Sequence, residues 1–342
     1  MKTILQYLPS IQRKSSRFLE KNSGFTLIEL LVAMILAALV ITPLLAFMIN
    51  VLDSDRREQA KATTEQEIQA ALEYISRDLQ QAVYIYDDDG VTRNSNTDVS
   101  LSGIQDQIPP VKGASSCKVV SGSSNCKPIL VFWKREYIPE SVGVNSNSDT
   151  QKDDGFAYSL VGYYFITNPT STAPWSSSAR IGRFQIRGRV NAEYSNTKGE
   201  ACDPGFSPPP LDLTVNGSKL KEKMSQWKTS LGTSPSPLTP CASPATEYTK
   251  QVDTLVDNIS TTGPDPDPTT TPCPPGAKLV GVVNSGFFAC VNSDEVLAQV
   301  YIRGNALVRL TNKNDTVYDP KASAYFPGGN IRVQGRGFLF TK

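Results

Sequence analysis

Glu29 is the one ionisable side chain in the 28 residues from Phe25 to Leu52, a run whose other polar members are Thr26, Thr42 and Asn50. Its chemistry is ionic rather than catalytic. A carboxylate held in hydrocarbon costs several kcal/mol unless a cation neutralises it, so a segment that keeps one needs a positive group from elsewhere. Ser23-Gly24 stands directly ahead of the run. An ordinary signal peptide is cut behind its apolar core; a cut after Gly24 would instead retain that core and leave Phe25 as the new amino terminus. Lys2, Arg13, Lys14, Arg17 and Lys21 precede the run, and Asp53 and Asp55 follow it. The positive-inside tendency therefore places everything after Leu52 outside the cytoplasm.

Other reactive side chains are sparse or wrongly typed for catalysis. Histidine is absent, which excludes Ser-His-Asp, Cys-His and His-metal chemistry. The six cysteines, Cys117, Cys126, Cys202, Cys241, Cys273 and Cys290, all follow the apolar run, and none forms a Cys-x-x-Cys pair. An exported even set reads as disulfides. Short loops favour Cys117 with Cys126 and Cys273 with Cys290, which leaves Cys202 with Cys241; buried free thiols are the alternative. Arg183, Arg187 and Arg189 alternate along one segment and could face an acidic glycan or DNA, with Arg303, Arg309, Arg332 and Arg336 as further members, or form a plain solvated sheet face. Asp87, Asp88 and Asp89, with Asp265 and Asp267, suggest calcium, but their spacing is not that of an EF-hand loop, and exposed turn acids are the simpler reading. No metal site, cofactor or catalytic carboxylate pair is assigned. Residues 1–24 carry four surplus positive charges and the whole chain +1, so residues 25–342 sit at −3. That balance gives no reason to expect a nucleic-acid partner.

The elements that would carry these residues can be read from periodicity. Phe25 to Leu52 is long enough as a helix to cross a bilayer. Asp53 to Glu67 is polar and helix-prone. Ile68, Ala71, Leu72, Ile75, Leu79, Ala82, Val83 and Tyr86 then recur at steps of three and four, which predicts a continuing amphipathic helix to Asp89, with Gly90 as a left-handed cap. Pro43 removes one hydrogen bond inside it and predicts a kink or a melted turn. Strands are expected over 129–137, 156–167, 181–194, 278–291, 296–310 and 331–340, antiparallel, with one sheet face on the long helix. The span 201–276 is rich in Pro, Ser and Thr and reads as an insertion. Two small helices are expected in it, one with Leu220, Met224, Trp227 and Leu231, the other with Tyr248, Val252, Leu255, Val256 and Ile259. The expected class is α+β: a segment 1–24 removed by processing, a transmembrane helix half 25–52, an amphipathic half 53–89 and a β-rich head 90–342.

Gly24-Phe25-Thr26-Leu27-Ile28-Glu29-Leu30-Leu31 resembles the leader junction of the type IV pilin superfamily, which includes the pseudopilins of type II secretion. The resemblance implies cleavage between Gly24 and Phe25 by an inner-membrane prepilin peptidase and N-methylation of Phe25. It also implies pairing of Glu29 with the terminal amine of a neighbouring subunit, which would set the stagger of assembly on an inner-membrane platform. Pro43 stands a few residues earlier than the proline common at this depth. The helix tail Arg77-Asp78-Leu79-Gln80-Gln81-Ala82-Val83-Tyr84 and a sheet-rich head resemble the PilW and GspJ families of minor pilins and pseudopilins. Asp253-Thr254-Leu255-Val256-Asp257 and Val300-Tyr301-Ile302-Arg303-Gly304-Asn305-Ala306 are more similar to the cyanobacterial hormogonium polysaccharide secretion pseudopilin family. This last resemblance implies a non-enzymatic, single-pass subunit with its head in the periplasm, later part of a filament at the cell surface, supporting polysaccharide export and gliding. The alternatives are a tip subunit of a type II secretion or DNA-uptake and adhesion pilus, and a carbohydrate-binding or degrading module displayed on a pilin anchor.

Overall fold

The computed structural model describes residues 24–114, 117, 125–145, 148–167, 174–176, 178–190, 202–211, 217–236, 239–264, 273–311 and 317–336. Two units divide after Asp55. Helix α1 (Leu27–Gln80) contributes to both and is unbroken through Pro43, so the turn there stays helical. Nearby, Thr42 Oγ1 donates back to the Ala38 carbonyl at 2.7 Å.

In the second unit α1 buries the stripe that its spacing announces. Ile68, Leu72, Ile75 and Leu79 are almost completely covered, each worth about 2 kcal/mol in apolar burial. They pack on antiparallel sheets. The first has the order β1 (Ala82–Ile85), β2 (Cys126–Asn145), β3 (Ser148–Ile166), β4 (Ala179–Arg187), β5 (Asp253–Ile259); the second runs β6 (Lys278–Val280), β7 (Phe287–Asn292), β8 (Leu297–Arg303), β9 (Gly328–Gln334). The chain is therefore α+β, a long apolar amino-terminal helix with antiparallel sheet, consistent with the type IV pilin fold. Strand β3 is paired on both sides, with Leu160 opposite Trp133 of β2 and Ile186 of β4. Leu160, Val161, Tyr163 and Tyr164 are all buried, so both of its faces are covered, which accounts for its apolar residues on each.

The structure departs from five expectations. The helix stops at Gln80, and Ala82–Ile85 forms strand β1, with Ile85 opposite Phe132; Val83, Tyr84 and Ile85 are strand-prone, and pairing with β2 overrides the helical spacing. Asp87 does not end a helix but caps the start of a new one, α2 (Asp88–Thr92), by accepting from Gly90 N at 3.2 Å. Gly90 lies inside α2, where a Cβ would come within 2.8 Å of the Tyr86 ring, so close approach rather than a left-handed turn selects glycine. The segment expected as a second small helix supplies β5, whose Val256 sits opposite Ile181. The span 278–291 is two strands parted by a turn at Gly281, whose φ is +94°. The span 296–310 divides into β8 and the short helix α4 (Ala306–Thr311). Residues 337–340 of the last expected strand lie outside the described residues.

The other small helix is present as α3 (Gly217–Met224), with Trp227 and Leu231 beyond its end. Residues from the Pro-rich span reach the core. Trp133 packs edge-on against Phe206 at 5.8 Å and Trp227 at 5.4 Å. Its Nε1 donates to Tyr86 OH at 3.1 Å, which in turn donates to the Met224 carbonyl at 3.0 Å. The disulfides join Cys117 to Cys126, Cys202 to Cys241 and Cys273 to Cys290. The second of these ties the span's two halves together.

Candidate functional site

Gly24 is non-helical, and Thr26 occupies the cap position ahead of α1. Glu29 N donates to the Thr26 carbonyl at 3.0 Å and lies 3.4 Å from Thr26 Oγ1. The hydroxyl also reaches Glu29 Oε2 at 3.5 Å. Thr-x-x-Glu at a helix start is the capping-box pattern, and the half in which Thr26 accepts from Glu29 N is present. Among the described residues no cation meets it. From Phe25 onward the large apolar side chains are bare: Phe25 is 81% exposed, Leu27 84%, and even Val32 47%. An exposed apolar surface of this extent requires lipid or other helices around it. Residues 1–23 lie outside the described residues.

Farther along α1, Asp78 enters a buried polar cluster with only 11% of its side chain exposed. Lys134 Nζ of β2 donates to Oδ1 at 2.9 Å. Tyr163 OH of β3 and Arg183 Nε of β4 donate to Oδ2 at 2.7 and 2.8 Å. Three adjacent strands thus converge on one helix carboxylate. Lys134 also pairs with Glu136, which accepts from Gln185 Nε2 at 2.7 Å. Burial by itself would raise the Asp78 pKa, but the Arg183 hydrogen bond and charge, with Lys134 and Tyr163, bring it below the usual carboxylate value. Burial would likewise lower Arg183, and Asp78 more than compensates. A second ion pair, Arg309 of α4 with Glu67, ties the helix to α4, and Arg309 Nε also donates to Thr64 Oγ1 at 3.2 Å. Close packing completes the seat, because a Cβ on Gly304 would lie 2.5 Å from Thr64 Cγ2.

This geometry corrects the arginine surface. Arg183 is not presented to solvent but is consumed in holding the helix, and Arg309 acts in the same way. Arg187 is half-buried and Arg189 exposed, while Arg303 stands over the Tyr318 ring at 5.5 Å. Arg183 and Arg309 are thus removed from any solvent-facing set. The aspartates are also spoken for: Lys221 reaches Asp87 at 2.5 Å, Lys278 contacts Asp87 and Asp89, and Arg93 pairs with Asp89 at 2.5 Å. Asp87 is buried rather than an exposed turn acid. The Lys278 hydrogen bond holds the Asp89 carboxyl low, and burial beside Asp89 and Asp87 raises Asp88. Lysines stand where a calcium ion would be needed. Asp265 and Asp267 lie outside the described residues. Nothing local in the sequence marks the Asp78 cluster; its one trace there is an acid set inside an apolar helical stripe.

Residues 20–45 match the prokaryotic N-terminal methylation motif. That match spans Gly24, Phe25, Glu29 and Pro43 and supports a type IV pilin-like protein. It implies, in general terms, processing by a prepilin peptidase and assembly with other pilins or pseudopilins. With the apolar helix, it is consistent with a membrane-anchored pilin. No curated protein and no solved structure matches the chain.

Proposed function

We propose that the chain is a minor pseudopilin, cut between Gly24 and Phe25, N-methylated on Phe25, and incorporated into or initiating a pilus-like filament that supports polysaccharide secretion and gliding. The observation that carries this reading is Glu29: one carboxylate that meets no cation among the described residues, at the head of an exposed apolar helix, five positions from the glycine ahead of it. A neighbour's terminal amine supplies the missing charge. Assembly, not catalysis, is then the activity, with the leader in the cytoplasm and the head in the periplasm before the subunit joins the filament.

The polysaccharide assignment rests on the two head segments that resemble the hormogonium secretion pseudopilins. They are neighbours in space. The residues directly after the first segment bond to the second: Asn305 N donates to the Asn258 carbonyl at 2.8 Å and Ser260 N to the Arg303 carbonyl at 3.0 Å. Deletion of the gene is expected to abolish secreted glycan and surface movement while enzyme secretion continues, scored by glycan staining and motility assay. Normal glycan output with secreted enzymes retained inside the cell would replace this reading with type II secretion.

A further inference from the structure

Strand β9 is the outermost strand of its sheet, and the direction of its backbone groups can be worked out. Gly304 N donates to the Pro327 carbonyl and Gly335 N to the Val296 carbonyl, both at 2.8 Å. These two bonds bracket the β8–β9 ladder, in which Val300 stands opposite Ile331. Bonded pairs alternate along an antiparallel ladder. Gly329, Ile331 and Val333 therefore turn their N–H and C=O groups to β8, while Asn330, Arg332 and Gln334 turn theirs outward. All three are exposed, and no described residue hydrogen-bonds these outward main-chain groups.

Open edges of this length are normally blunted by proline, lysine or a bulge. Within β9, Arg332 is the one charged residue. Alongside the edge lies a groove of about 670 Å³ whose walls include Glu65, Gln66, Gln69 and Glu73 of α1 and Asn330 and Ile331 of β9. Gly329 permits the helix to come this close, since a Cβ there would fall 2.8 Å from Leu72 Cδ1. Edge and groove together match strand addition, in which main-chain bonds give affinity and alternate side chains enter a pocket. Charge selects the occupant. Glu65 meets no cation among the described residues, and Glu73 meets only Arg77, on the exposed helix face. A second copy of this chain that paired through its own β9 would bring its Glu65 and Glu73 beside the same groove and set Arg332 near Arg332, which is repulsive.

We propose that β9 receives an extended segment of a different neighbouring subunit as an added strand, with a lysine or arginine of that segment turned toward Glu65. This rests on the assembly reading of Glu29. The test is hydrogen–deuterium exchange on the full chain, comparing detergent-dispersed subunits with sheared filaments. The amides of Asn330, Arg332 and Gln334 are expected to exchange about 100-fold more slowly in filaments, with those of Ile331 and Val333 protected in both states. Arg332→Pro removes one outward donor and leaves the inner ladder intact; its incorporation is expected to fall about tenfold, while Arg332→Ala incorporates normally. Equal exchange in both states, or normal incorporation of Arg332→Pro, overturns the proposal and leaves assembly standing. A photocrosslinker at position 330 that traps a second copy of this chain also overturns it. Absence of the wild-type chain from filaments defeats the assembly reading and this proposal with it.

Discussion

Replacing Glu29 with alanine is expected to leave the chain synthesised and membrane-inserted but to reduce its recovery in sheared filaments by about 100-fold. Loss of one partner of a desolvated ion pair costs roughly 3 kcal/mol or more, and each 1.4 kcal/mol is about tenfold in an equilibrium. Alanine alone leaves an ambiguity, because Glu29 also belongs to the helix cap with Thr26. Glu29→Gln resolves it. Glutamine serves a capping box as well as glutamate does but carries no charge, so it should fail in assembly as alanine does while helix content is retained. Immunoblotting of sheared and membrane fractions, with circular dichroism of the purified chain, reads both effects. Normal incorporation of Glu29→Gln would reduce the carboxylate to a local cap.

Asp78→Asn should cost about 3 to 5 kcal/mol of folding stability, the usual penalty for leaving buried cations uncompensated. Lys134 keeps Glu136, but Arg183 Nε loses its carboxylate, and the helix loses its tie to β2, β3 and β4. The double replacement of Asp78 and Arg183 by apolar residues of similar size should recover part of that loss, since Lys134 keeps Glu136 and no unpaired charge remains. The cluster also carries a pH signature. The folded pKa of Asp78 lies below its ordinary 3.8, so its stabilisation is fully present above about pH 4 and disappears as the pH falls through the folded value. Wild-type protein should therefore lose stability on acidification below about pH 4 by a component that Asp78→Asn lacks. Fluorescence of the buried Trp133 and Trp227 during denaturation at a series of acidic pH values measures this. An Asp78→Asn variant as stable as wild type at neutral pH would show that the cluster does not hold the helix.

Local signals made part of this architecture legible in advance. An apolar run with one acid is visible without any partner, and so is the stripe at Ile68, Leu72, Ile75 and Leu79. The unalternating Leu160 to Phe165 marks a central strand for the same reason. What failed depended on distant partners. Ala82, Val83 and Tyr86 fit a helical stripe until β2 pairs with that segment. Val252, Leu255, Val256 and Ile259 likewise fit a helix until β4 claims the segment. Arg183 looked like a surface charge because its partner, Asp78, is 105 residues away. Lys221 and Lys278, which meet Asp87, are as remote, so the aspartate run resembled a cation site. Single-residue alternation shows which side of a strand a residue occupies, not what covers that side.

Intact-mass and amino-terminal peptide analysis of the protein purified from its own membranes puts the processing site and the role of Glu29 to the test together. The expected result is a chain that begins at Phe25 and carries one methyl group on the terminal nitrogen. A chain that keeps residues 1–24 in cells with an active leader peptidase would contradict it, because Glu29 would then have no methylated amine of a sister subunit to meet.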